Sequence, residues 1–265
     1  MSGRYDDENI IIKDWQYFLA DETVFFLTNS AFERRIYRAI SKQWNKWTIN
    51  NSHDALPPDF FSEKLGLMFD IVRVFDSEIE TVDEHNRIQR RNPVLAEESK
   101  LFKQCLQEHP DAKPENVFVL AKPEDNYHSI HTYQQYCAHT NRVIGEHLSK
   151  LAGWKERHTK CKMGLWIFDE TAAYIQHMYL KDAQATIDQE AKYIFHPRPH
   201  WPILDKNLTK QLFDSSLDFF IWVAPYKYNA ITNEQMPATT FVDLKNKKIN
   251  KIRLIDYPSE LMRCT

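Results

Sequence analysis

The stretch LPPDFFSEKLGLMFDIVRVFD, Leu56 to Asp76, decides how the rest of the chain is read. Pro57 and Pro58 cannot continue a helix and bias the backbone toward extended geometry. From Gly66 to Phe75 strict alternation puts Leu67, Phe69, Ile71, Arg73 and Phe75 on one face, and Met68, Asp70, Val72 and Val74 on the other. Both faces are apolar apart from Asp70 and Arg73, which is the pattern of a central strand covered on both sides. Asp70 would then stand where an ionised carboxylate needs a partner or a metal.

Upstream, Ser30 and Glu33 have the spacing of a capping box, in which hydroxyl and carboxylate each satisfy a backbone amide of the first helical turn. Phe32, Ile36, Ile40, Trp44 and Trp47 then recur every three or four residues, which predicts a helix over 30–47. Its other face carries Arg34, Arg35, Arg38, Lys42 and Lys46, either a solvated surface or a basic binding face. Residues 10–20 have a helical spacing of apolar side chains, and 23–27 read as a short strand or a helix extension.

Downstream, residues 77–95 form a charged excursion, 96–109 a helix, and 116–121 a short buried strand. Thr132 with Gln135 is a second capping box, opening a helix whose apolar face runs through Tyr133, Tyr136, Cys137, Thr140, Val143, Ile144 and His147 to a terminating Gly153. His147 on that face reads as a satisfied core histidine rather than a ligand. Met163–Phe168 is another buried strand, which Ala173–Met178 could join across a short turn. The three prolines of 195–205, FHPRPHWPILD, imply a stiff irregular loop presenting His196, Arg198, His200 and Trp201. Asp205 can cap a short helix ending at Leu212, and 217–223 is a fourth buried strand. Residues 239–244 and 249–255 then read as a terminal hairpin. Helices thus alternate with short apolar strands, predicting a single α/β domain over 1–265. It would have a central mixed sheet, helices on both sides and the C-terminal hairpin at an edge.

Composition narrows the chemistry. A hydrophobic share of 43% in 265 residues supports a substantial core. The balance of 34 basic and 37 acidic residues, net charge −3, leaves nucleic-acid contact to a local patch. The five glycines are isolated, so no phosphate-cradling loop and no nucleotide cofactor are expected. Four cysteines without CxxC pairing read as buried free thiols. No run suits a membrane span and the N-terminus lacks a basic start before an apolar core, so a cytoplasmic protein without membrane contact is expected.

A helix bearing Glu33, then Pro58-Asp59, then a central strand with Asp70 resembles the core of the PD-(D/E)XK nuclease-like superfamily, over roughly residues 30–121. The resemblance implies Asp59 and Asp70 as ligands of Mg²⁺ or Mn²⁺, with Glu33 as a third acid. Hard oxygen ligands suit such an ion, which polarises a phosphodiester and acidifies an attacking water. In the family pattern a lysine follows two residues after the second acid, and here Val72 holds that place. Arg73 points to the opposite strand face and replaces that lysine only if the strand is bulged; Lys64, in the preceding turn, is the other candidate. Three functions stay open. The first is a metal-dependent nuclease-like enzyme using Asp59, Asp70, Glu33 and Lys64, with nucleic acid along the basic face of helix 30–47. The second is a non-catalytic binding or regulatory protein with a decayed site. The third is a hydrolase using Asp169 or Glu170 with His196 or His200.

Overall fold

The computed structural model describes residues 24–49, 58–74, 79–82, 88–91, 100–101, 104–111, 132–171, 173–181, 193–224, 227–229, 234–235 and 237–264. The expected helix over 10–20 and strand over 116–121 lie outside them.

The architecture is mixed α/β. Strands β1 (Val24–Phe26), β2 (Thr48–Ile49), β3 (Phe60–Ser62), β4 (Leu67–Val74), β7 (Lys162–Asp169), β10 (Phe219–Val223) and β13 (Thr239–Asp243) form one seven-stranded sheet in the order β1-β13-β10-β7-β4-β3-β2. β4, β7 and β10 run parallel, β13 is antiparallel to β10, and β1 is parallel to β13. A second, three-stranded sheet has β8 (Tyr174–Lys181) between β9 (Tyr193–Pro199) and β14 (Met262–Cys264). Two small antiparallel pairs complete the strands. β5 (Ile79–Val82) with β6 (Ile88–Arg91) lies within the charged excursion, and β11 (Tyr228–Asn229) pairs with β12 (Glu234–Gln235).

β4 is the central strand its alternation predicts. Its odd face, Leu67, Phe69 and Ile71, packs with helix α1 (Ala31–Lys42) through Ile36, Ala39 and Ile40, together with Phe60, Trp47 and Trp166. Its even face, Met68, Val72 and Val74, joins a second core beneath helices α2 (Tyr133–Leu148), α3 (Leu151–Arg157) and α4 (Lys206–Phe213). The turn between β3 and β4 needs Gly66, whose φ of 61° lies in the left-handed region.

Both capping boxes are made, at Ser30/Glu33 and at Thr132/Gln135. Helix limits differ from the spacing at the C-terminal ends. α1 stops at Lys42 and gives way to a 3-10 turn over Trp44–Lys46, because the Trp47 indole folds back to donate to the Ala39 carbonyl (3.0 Å). α2 stops at Leu148, and Gly153 lies inside α3, not at a terminus.

Three strand assignments change. β8 pairs with β9 and β14 and not with β7. The proline-rich stretch is a strand at its start: Pro197 and Pro199 sit in β9, at the edge of its sheet, where a residue without an N–H breaks no ladder on the open side. The terminal hairpin does not form. β13 lies between β10 and β1, residues 247–251 make a 3-10 turn, and Ile255 bridges Asp205. Of the cysteines, all free, Cys161 is buried, Cys105 and Cys137 are half-buried, and Cys264 is exposed. Among the described residues no helix is long and apolar enough to cross a membrane.

Candidate functional site

The neighbouring strands β3 and β4 bring Asp59 and Asp70 together. The Asp59 N–H donates to Asp70 Oδ1 (3.1 Å), and the Ile71 N–H donates to Asp59 Oδ2 (2.9 Å), extending the ladder past Phe60 and Phe69. Asp70 is 1% exposed, and its Oδ2 is hydrogen-bonded to His147 Nδ1 from the facing helix α2. Burial alone would raise the Asp70 pKa. Hydrogen bonds from His147 and Asp59, with the His147 charge, outweigh it and hold the carboxyl below its usual range.

The other two expected participants stand elsewhere. Glu33 is fully buried at the start of α1 and accepts from the Thr28 N–H (3.0 Å), Thr28 Oγ1 (2.9 Å), the Ser30 N–H (3.0 Å) and the Asp243 N–H of β13 (3.1 Å). β13 is three strands from β4, about 14 Å at ~4.8 Å per strand, and α1 covers the opposite sheet face from His147. Lys64 is exposed in the turn before β4, whose first residue, Leu67, already stands about 10 Å from Asp70 along the strand. Val72, in the family lysine's place, is 1% exposed in the core. Arg73 pairs through two bonds with Glu170 (3.0 and 2.6 Å). Among the described residues no group of three His, Cys, Asp or Glu could hold a metal ion. The acid pair has suitable oxygens for Mg²⁺, but a histidine already bonds Asp70 Oδ2, and among the described residues no third carboxylate joins the pair.

A second polar cluster forms where β7 ends, and the same face of α2 supplies it. The Tyr136 hydroxyl donates to Asp169 Oδ2 (2.6 Å), which also accepts from the Trp222 indole (3.0 Å). Asp169 Oδ1 accepts from the Thr171 N–H (3.1 Å) and hydroxyl (2.6 Å). The buried Lys227 ammonium donates to Thr171 Oγ1 (2.6 Å), lies 3.6 Å from Asp169 Oδ2, and sits over the Tyr136 and Tyr174 rings. One helical turn earlier, the Tyr133 hydroxyl donates to Asp205 Oδ2 (2.6 Å), which also pairs with His200 Nε2 (2.6 Å). Burial lowers the His200 pKa despite the opposing pull of Asp205, and burial with the adjacent carboxylates raises Tyr133 and Tyr136.

One stripe of α2 therefore answers three buried aspartates: Tyr133 for Asp205, Tyr136 for Asp169, and His147 for Asp70. The sequence signal was the row of polar tips on an apolar stripe, but helical spacing does not say which acid lies opposite each tip. The His200 and Asp169 of the hydrolase reading share this cluster with different hydrogen-bond partners, and the His196 side chain lies outside the described residues. Compared with protein-family models, curated proteins and solved structures, the chain matches none.

Proposed function

We propose that this chain is a non-catalytic binding or regulatory protein whose nuclease-like acid pair has become an internal, structural device. The observation that carries this reading is Asp70, 1% exposed and hydrogen-bonded to His147, with Val72 buried in the lysine's place. An imidazole on the carboxylate does the neutralising that a metal would otherwise do, without an open coordination position for water. The contact surface that fits this reading is the basic face of α1, where Arg34, Arg35, Arg38 and Lys42 are exposed, followed by exposed Lys46. It suits the phosphates of nucleic acid as partner. Because α1 lies across the sheet from Asp70, contact there does not deliver a phosphodiester to the acid pair.

Calorimetric titration of Mg²⁺ and Mn²⁺ into wild type and Asp70→Ala tests the site, with hydrolysis of single- and double-stranded DNA and RNA followed in parallel. The expected result is no saturable heat and no hydrolysis. Binding of short nucleic acids that weakens with salt, and weakens further in Arg34→Ala/Arg38→Ala, would support the α1 surface. A second reading, a metal-dependent phosphodiesterase, is favoured by one observation: Asp59, just before β3, lies beside Asp70 of the neighbouring β4. Saturable metal binding lost in Asp70→Ala, with cleavage, would establish it in place of the first.

A further inference from the structure

On the α2 side of the sheet, the helices stop short of β1 and β13 and leave a cleft of about 530 Å³. Its apolar walls include Phe25, Leu27, Trp201, Ile203, Trp222 and Ile252. Phe25 is 43% exposed, the large apolar side chain most open to solvent among the described residues. The remaining wall is held in place by backbone bonds: the Lys206 N–H donates to the Ile255 carbonyl (2.8 Å), and the Ile255 N–H to the Leu204 carbonyl (2.7 Å). The cleft is thus preformed, and its volume is that of an ordinary small-molecule site.

Its charge is one-sided. Lys227, Lys251 and Arg253 line it, and among the described residues no acidic side chain does. Lys227 is engaged with Thr171 and Asp169 at the inner end. Lys251 and Arg253 are exposed and make no ion pair among the described residues. From Leu244 to Ile255 the chain has five basic residues and no acidic one, and the nearby Asp256 pairs with Lys206 (3.6 Å). An apolar ligand alone would leave the cations without purpose, and a polyanion would leave the tryptophan-lined interior unfilled.

We propose that this cleft binds a small aryl carboxylate, its flat ring body against Trp201 and Trp222 and its carboxylate on Lys251 and Arg253. Aromatic walls supply contact area at low entropy cost, and a guanidinium fork fits a carboxylate through two parallel hydrogen bonds. This site is separate from the Asp59–Asp70 pair and does not depend on how that pair is read.

The probes are naphthoate and its neutral isostere naphthamide, titrated into the full chain by calorimetry, with tryptophan fluorescence as a second readout. Naphthoate should bind saturably and about tenfold or more tighter than the amide. Lys251→Ala/Arg253→Ala, surface changes that leave the thermal midpoint in place, should erase that preference while the amide's affinity stays. Trp201→Ala should weaken both probes alike. Equal affinity for acid and amide, no saturation of either, or an undiminished preference in the double variant would each overturn the proposal.

Discussion

Asp70 and His147, 77 residues apart in sequence, are hydrogen-bonded in the core between β4 and α2. Removing one member of such a pair leaves the other buried without its partner. His147→Ala should therefore lose about 3–5 kcal/mol in urea unfolding. The double variant Asp70→Asn/His147→Ala should recover part of that loss, and additive losses would show that the two side chains do not act as a pair. The depressed Asp70 pKa sets the sign with pH. Its stabilisation is present above the unfolded value, near pH ~4, and is lost as pH falls through the lower folded value. Asp70→Asn should flatten the acid limb of the stability curve.

His200 gives the opposite end of the titration range. Its folded pKa is lowered by burial, so the unfolded chain takes up a proton first. Stability should be full above pH ~6.5 and decline as pH falls from there toward the folded value. Asp205, Asp169, Lys227 and the Tyr133, Tyr136, Tyr174 and Tyr257 rings face this imidazole, and burial among them outweighs the pull of the two carboxylates toward the charged form. Denaturation midpoints between about pH 5 and 7.5 should slope in wild type and slope less in His200→Gln. An unchanged slope would assign the effect to another group.

Gly164 and Phe219 are register partners on β7 and β10, and a β-carbon on Gly164 would lie 2.2 Å from Phe219 Cε2. Phe219 is fully buried and has nowhere to move. Gly164→Ala should cost at least about 1–3 kcal/mol through overpacking. Adding Phe219→Leu should return some of it. If Gly164→Ala unfolds at the wild-type midpoint, the contact is softer than its geometry says.

Glu33→Gln tests whether that acid serves the fold. Its carboxylate accepts from four donors. An amide group turns one oxygen into a donor facing donors, with an expected loss of about 1–3 kcal/mol. Metal titration of the variant should match wild type. A metal response that disappears with Glu33 would return this residue to a binding role.

Much of this fold was legible where chemistry is local. Ser30/Glu33 and Thr132/Gln135 marked helix starts because cap and partner are three residues apart. The alternation in β4 announced a strand covered on both faces, whereas the pairing of Asp59 with Asp70 was expected only through the family resemblance, as metal ligands. What the sequence could not carry was pairing at a distance. Nothing near His147 names Asp70, and nothing near Tyr136 names Asp169. Continuous apolar runs gave strands without neighbours, so β8 was assigned to the wrong sheet and 249–255 to a hairpin. The proline rule failed in β9 for a related reason, since only the sheet's order reveals that the strand has an open edge.

The Asp243 N–H reaches Glu33 from 210 residues away, and among the described residues β1 has β13 as its one neighbour in the sheet. During synthesis the pairing of β1 and the Asp243 bond to Glu33 must wait until residues 239–243 have left the ribosome, whereas the cap bonds from Thr28 and Ser30 are local and can form earlier. Until then Val24–Phe26 is an unpaired strand with phenylalanine side chains, open to any other edge it meets. The last strand of the large sheet to be made is thus the one that releases the nascent chain from that exposure.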